Sequence, residues 1–442
     1  MKSSSRFAAI AFMACLTAAP LMARTPVRQI ARDSVMNDHR IILMGNESKG
    51  IPAPESQRKL IEQFYINQFE NTRQPDAPYF LFMSRDANLA MGVGGDIKVR
   101  AYFDPGNSLP GSTFSPYDIP MHRDELNRNH LGTSPAGTAL YFRIIGHADK
   151  IGIYQVYIKG KFNGGSGNDF KLNKAYVSLN DWTVGYAMST FSDGPAEPPV
   201  VDVNGTTLSL DYTTMLVRYL HTFKNSGVSV AASLEAPSFS FETVEQPDGK
   251  PTAGKRKQSV PDIVAMAQYE WARGQHVRLS GIVRWLPYRN FMNNTNHTPK
   301  GWGFQFSTVF NPISQLTLYG TLNFGRSYTN NTGNFLLSGY DLVGDSRYEG
   351  RMSTLPSWSY LVGATYHFNR KLYSTLAFGQ ARVTESHFSD QYKYGLYGAA
   401  NLFYNLTPRI LFGGEFTFGK RAEFSGDHAW GRRFSLMAQM SF

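Results

Sequence analysis

The chain has 442 residues, with Lys+Arg 44 against Asp+Glu 34 and a single cysteine. One cysteine excludes an internal disulfide, so an exported form must be held together by other means. Past the N-terminus no run reaches the ~18 consecutive apolar residues of a membrane helix, which excludes a helical membrane protein.

The first 23 residues, MKSSSRFAAIAFMACLTAAPLMA, begin with Lys2 and Arg6, continue through an apolar stretch over 7–16 and end on small residues near Ala23. This is the layout of a secretory signal peptide. Cys15 lies inside the apolar stretch, and Phe12, Met13 and Ala14 make a poor lipoprotein box, so lipidation is not expected. Cleavage after Ala23 leaves a cysteine-free chain with 42 basic and 34 acidic residues, a formal charge of +8. Positive charge suits nucleic acid, an anionic lipid surface or an anionic solute, and export makes nucleic acid the least fitting partner.

Residues 24–53 are polar and irregular, and PESQRKLIEQFYINQFEN, 54–71, carries the partial apolar stripe of a helix. The segment 24–77 is therefore expected to stand apart from the barrel, in the periplasm or close to the pore. The helix either packs locally or associates with copies of itself, with fewer than three heptads to support a coiled coil. Residues 78–95 read as two short strands around the turn 85–88.

From there the pattern has a period of two. In GGDIKVRAYFD, 94–104, the apolar Ile97, Val99, Ala101 and Phe103 alternate with Lys98, Arg100 and Tyr102. The same alternation recurs over 138–149, 153–162, 174–179 and 182–189. It continues over 214–223, 227–236, 262–273, 275–286, 302–311 and 315–326. The last segments are 357–369, 371–383, 393–405, 408–420 and 432–442. Each has about the length of a tilted membrane strand. The count is sixteen, an even number, as an antiparallel barrel requires. The longest connections are expected at 105–136, 191–210, 237–260 and 327–356, and tight turns elsewhere. The six tryptophans fall near strand ends, where an interfacial belt would sit. The chain ends RRFSLMAQMSF, an alternating strand closed by Phe442, as in the assembly signal of outer-membrane barrels. The fold class expected is therefore all-β, a transmembrane antiparallel barrel over 78–442 with a short N-terminal helical segment. The greasy face meets lipid and the polar face lines a channel.

On this parity the inward basic residues are Lys98, Arg100, Arg143, Lys159, Lys161, Lys174, Arg218, Arg278, Arg284 and Arg433. Inward acids are fewer: Asp96, Asp104, Glu235, Glu270 and Glu415. Such a wall lowers the barrier for anions unless the cations pair with the acids. The stretch STFSDGPAEPPVVDVNG, 189–205, is too long for a turn and is expected to fold inward and narrow the channel. Its Asp193, Glu197 and Asp202 would set an acidic side across from the basic wall.

The signatures of a nucleophile elbow, a zinc protease and a phosphate-binding loop are all missing from the sequence. The ten histidines are scattered singly, so neither a metal site nor a cofactor is expected, and the chain is not read as an enzyme. A barrel enzyme acting on lipid and a secreted all-β binding protein are the alternatives.

Three segments resemble one family. FKLNKAYVSLNDWTVGYAMSTFSD, 170–193, PDIVAMAQYEWARGQHVRLSGIVRWLPYR, 261–289, and the closing strands over 397–442 look like the corresponding parts of the DcaP-like trimeric porins. The resemblance implies a homotrimer of sixteen-stranded barrels in the outer membrane of a Gram-negative bacterium, admitting small anionic solutes such as dicarboxylates. It points to Arg218, Arg284 and the loop after Phe191. The stretch Tyr186-Ala187-Met188 departs from the family's Gln-Thr-Trp, and TTMLVRYLHTF, 213–223, is poorer in Arg and Gln than the family's strand there.

Overall fold

The computed structural model describes residues 40–45, 55–57, 61, 80–122, 125–148, 152–162, 169–203, 205–206, 212–223, 225–272, 274–328, 340–345, 347–387 and 391–442. The signal segment and most of 24–77 lie outside them; of the expected helix 54–71, residues 55–57 and 61 are described, as helix.

Two short strands come first, β1 (Arg40–Met44) and β2 (Phe80–Ser84). Next are β3 (Leu89–Asn107), β4 (Arg128–Ser134), β5 (Ala139–Ala148), β6 (Gly152–Phe162), β7 (Phe170–Leu179) and β8 (Trp182–Met188). β9 (Thr213–Thr222) and β10 (Val228–Glu235) follow, then the loop strands β11 (Phe241–Glu242) and β12 (Ala253–Lys255). β13 (Asp262–Ala272) and β14 (Gln275–Trp285) precede two more loop strands, β15 (Tyr288–Asn290) and β16 (Thr295–His297). β17 (Lys300–Ile313) and β18 (Leu316–Arg326) precede β19 (Leu342–Gly344) and β20 (Met352–Ser353). The chain closes with β21 (Pro356–His367), β22 (Leu372–Val383), β23 (Tyr392–Thr407), β24 (Ile410–Glu423) and β25 (His428–Ser441).

Leaving out β1, β2, β4 and the six loop strands, sixteen strands pair antiparallel, each with its neighbour in the chain, and β25 returns to β3 with Phe434 opposite Phe103 and Ser441 opposite Asp96. The ring is closed, which removes the edges that an open sheet would present. At the seam Phe442 and Gly95 exchange both backbone hydrogen bonds, at 2.9 and 3.0 Å. This terminal residue thus completes the ladder. β2 pairs with β3 around the turn at 85–88, and β1 runs parallel to β2.

The connections sort by rim. Short turns such as Asn180-Asp181 between β7 and β8 lie at one end; Asn180 has φ 48°, the left-handed conformation that a two-residue hairpin needs. The connections that follow β3, β8, β10 and β18 are long and share the other end. Four tryptophans (Trp285, Trp302, Trp358, Trp430) sit at the long-loop ends of strands, and Trp182 and Trp271 at the short-turn ends.

The alternation of the sequence becomes the two faces of the wall. Ile97 and Val99 are 53% and 55% exposed, whereas Lys98 and Arg100 between and beside them are 9% and 0%. A fold that exposes its aliphatic side chains and buries its cations is inside out relative to a soluble domain, and lipid is the solvent that makes it stable.

One feature was not legible in the pattern. β4 and β5 are two halves of a single wall position, both paired with β3. The interruption, Pro135-Ala136-Gly137-Thr138, is local chemistry: Pro135 has no N–H to give the ladder. The Thr138 hydroxyl instead accepts from Lys98 N at 3.0 Å and donates to Lys98 O at 3.1 Å. Gly137 has φ 94°, and a Cβ there would lie 2.6 Å from Val203 and 2.8 Å from Lys98. The break lets a loop approach the basic wall.

Candidate functional site

Among the described residues, the loops after β3 and β8 enter the interior, and Tyr328, Tyr340 and Asp341 of the connection after β18 also pack against inward residues. Residues 108–121, after β3, place Leu109, Phe114 and Ile119 in an apolar cluster with Tyr397, Ala377 and Ala381 of the wall. The wall makes room with glycine: a Cβ at Gly419 would lie 2.9 Å from Phe114, and one at Gly431 3.0 Å from Ile119. This side of the barrel is packed with carbon.

The second loop, after β8, runs right across. Ser189 Oγ and Thr190 N donate to Glu235 of β10 at 2.7 and 2.8 Å. Asp193 then meets three groups: His276 Nε2 at 2.9 Å, Arg278 Nη1 at 3.4 Å and the Ser307 hydroxyl, which donates to it. Ala196 packs on Val309 and Tyr319. Pro199 O accepts from Asn401 Nδ2 at 3.0 Å, and Val201 N donates to Glu415 at 2.8 Å. Finally Asp202 pairs with Arg100 of β3 at 3.0 Å, and Lys161 of β6 donates to Val203 O at 3.2 Å. These contacts lie on strands around the whole circumference, so residues 189–203 span the lumen. Glu197 stays within the loop, accepting from Thr206 N at 2.7 Å.

The ten inward cations read from the sequence separate into two groups. Arg100, Arg278, Arg284 and Arg433 are each on a carboxylate and are at most 1% exposed. Arg433 holds Asp104 through two bonds of 2.6 and 2.7 Å and also donates to Gly111 O. Arg284 bridges Asp262 and Asp341 at 3.0 and 3.2 Å and donates to Ser327 O at 2.8 Å. Arg100 also donates to Ser112 O, so it ties the loops after β3 and β8 to the wall. The expectation that these four add to an anion-attracting field is therefore corrected: they clamp loops. An acidic side facing a basic wall across open space does not form either, because Asp193 and Asp202 touch the wall. The physical reason is that a guanidinium covered by a loop needs a counter-charge at contact.

The second group gathers on β3 and β5–β9. Lys159 of β6 stands directly opposite Lys174 of β7, and Tyr141 of β5 opposite Lys159. Arg143 lies two residues along on the same face, opposite Tyr157, and donates to Gln155 at 3.0 Å. Gln155 in turn donates to the Tyr176 hydroxyl at 3.1 Å. Tyr141, Tyr157 and Tyr176 form a row with ring centroids 6.0 and 5.4 Å apart. Lys98 and Lys161 lie near Val203, one through the glycine gap and one by its hydrogen bond. Arg218 of β9 donates to Met188 O at 3.1 Å, where the spanning loop departs.

The inward acids are placed as follows. Glu235, Glu415 and Asp104 hold loops or clamps as described. Asp96 accepts from Gln439 and Ser441 at the short-turn rim, and Glu270 accepts from Gly274 N in the turn after β13. His276, Ser307, Asn401, Asp262 and Asp341 were not singled out from the sequence. The signal was present for His276, which shares the inward parity of Arg278 two residues on. Among the described residues no three or more His, Cys, Asp or Glu side chains are grouped as metal ligands would be.

Residues 121–433 match the family model described as the porin subfamily. No curated protein matches the chain. Among solved structures, the outer membrane channel DcaP of Acinetobacter baumannii is similar with a TM-score of 0.65 and 18% identity, over 81% of this chain and 98% of that one. OmpF of Salmonella typhi, solved in complex with daunomycin, is similar with a TM-score of 0.51 and 9% identity, over 80% of this chain and 98% of that one. At these identities the likeness is one of fold.

Proposed function

The chain belongs to the porin subfamily and is an outer-membrane β-barrel channel; we propose that it passes small hydrophilic solutes by diffusion and favours anions, dicarboxylates among them. The observation that carries the reading is Lys159 directly opposite Lys174 on neighbouring strands, with Arg143 close by. Like charges in a cross-strand pair repel and cost stability in an empty protein. A wall that keeps them there gains from a passing anion, whose local concentration the field raises. The loop over 189–205 is the proposed constriction, since it spans the lumen beside this patch. Self-association as a homotrimer belongs to the same proposal and is supported by the resemblance to trimeric porins.

The test is the reversal potential of the purified mature protein in a planar bilayer under a KCl gradient. The expected sign is that of chloride preference, and Lys159→Gln with Lys174→Gln should shift it toward zero. Cation preference in the unaltered protein would refute the reading.

A further inference from the structure

The outward face holds a row of cations that the channel does not use. Near the long-loop rim, Arg382 of β22 lies opposite Tyr394 of β23, and Lys420 of β24 lies opposite Trp430 of β25. Arg432 follows two residues along β25 on the same face. These residues share the parity of Phe378, Leu402, Phe412, Phe434 and Leu436, all exposed to the surroundings of the barrel. Two of these cations, Arg382 and Lys420, lie over rings. The Arg382 guanidinium is 5.7 Å from the centre of Tyr394, and Lys420 Nζ is 5.6 Å from the centres of both Tyr394 and Trp430.

Nearby acids are engaged elsewhere. Glu385 pairs with Arg326 at 3.2 Å, and Glu423 with the inward Arg421 at 3.0 Å. Among the described residues no ion pair engages Arg382, Lys420 or Arg432. An aromatic face orients a cation and leaves its charge unneutralised. Cations on the lipid side are costly at the bilayer centre and tolerated only near the interface, where an anion can meet them. Long loops mark the outer rim, so this row sits at the level of outer-leaflet headgroups. Neighbouring strands are about 4.8 Å apart, so three strand steps from Arg382 to Arg432 cover roughly 14 Å. That width exceeds a single phosphate.

We propose that Arg382, Lys420 and Arg432 bind the phosphate groups of an anionic outer-leaflet lipid bearing more than one phosphate, with Tyr394 and Trp430 as the ring platform beneath. The acyl chains would lie on the apolar side chains lower on the same strands.

The full chain, folded in detergent, is titrated with diphosphoryl lipid A, and bound lipid is read by native mass spectrometry. Arg382→Gln, Lys420→Gln and Arg432→Gln combined should weaken binding about tenfold or more, as loss of charge-assisted hydrogen bonds implies. Lys371→Gln, at the short-turn rim, should leave it unchanged. Should the triple variant fail the heat-modifiable gel shift that marks a folded barrel, Lys420→Gln alone decides, with a weaker loss in the same direction. Equal binding by the folded triple variant overturns the proposal. So does equal affinity for a lipid without phosphate, or competition by inorganic phosphate alone, which would make this a free-anion site. Unchanged lipid binding with loss of oligomer on a sizing column would assign the row to a second copy and also overturn it.

Discussion

Replacing Asp193 with Asn removes one charge and almost no volume from the middle of the spanning loop. In the folded protein this carboxylate receives His276, Arg278 and Ser307, and its side chain is 1% exposed. The substitution leaves the Arg278 guanidinium buried beside a neutral amide in place of a carboxylate, while its bond to Thr190 O at 3.0 Å is kept. Breaking one partner out of a buried pair costs about 3–5 kcal/mol. The other anchors, at Glu235, Asn401, Glu415 and Arg100, are untouched, so the cost falls on the docking of residues near 193 and leaves the barrel ladder intact. At 1.4 kcal/mol per tenfold, the ratio of docked to released loop falls by roughly two to three and a half powers of ten. Single-channel recording of Asp193→Asn should therefore show larger steps and more open-channel noise, with the gel-shift temperature of the barrel little changed. Steps and noise identical to the unaltered protein, in a variant shown to be folded, would refute the idea that Asp193 anchors the constriction.

Three further outcomes are expected. A Cβ at Gly363 would lie 2.7 Å from Pro198 Cγ, so Gly363→Ala should push the loop off β21 at a cost of about 1–3 kcal/mol, read as altered conductance. Arg433→Met leaves Asp104 buried without its partner and should destabilise by about 3–5 kcal/mol, read as a lower temperature for the gel shift. In the long loop before β21, hydrogen bonds from Arg347 hold the Asp345 carboxyl down at about 2, below the ordinary 3.8, with His387 adding to the effect. The loop's stability from this contact is full above about pH 4 and fades as pH falls toward 2. Pepsin should accordingly cut the loop faster at the acid end of that window, and Asp345→Asn should flatten the dependence.

The wall of this protein was legible in its sequence because lipid imposes a strict rule. Every second residue of each strand must be apolar, and the period of two survives in any part of the chain without knowledge of its neighbours. Ile97, Val99 and Phe103 declare the outer face, and Lys98, Arg100 and Tyr102 the inner one, before any contact is known. Strand number, the rim of the long loops and the closing role of Phe442 follow from the same local signals. What an inward residue does was not legible. Arg100 and Lys98 have the same parity and neighbouring positions, yet Arg100 is held by Asp202, 102 residues on, while Lys98 faces the gap at Gly137. Arg284 and Asp341, or Asp193 and His276, meet only because loops of no fixed period fold into a closed ring. Parity decides lipid against lumen, a one-dimensional property of the strand. Whether a lumenal charge meets solute or a carboxylate depends on where the loops land, and only the tertiary structure decided that.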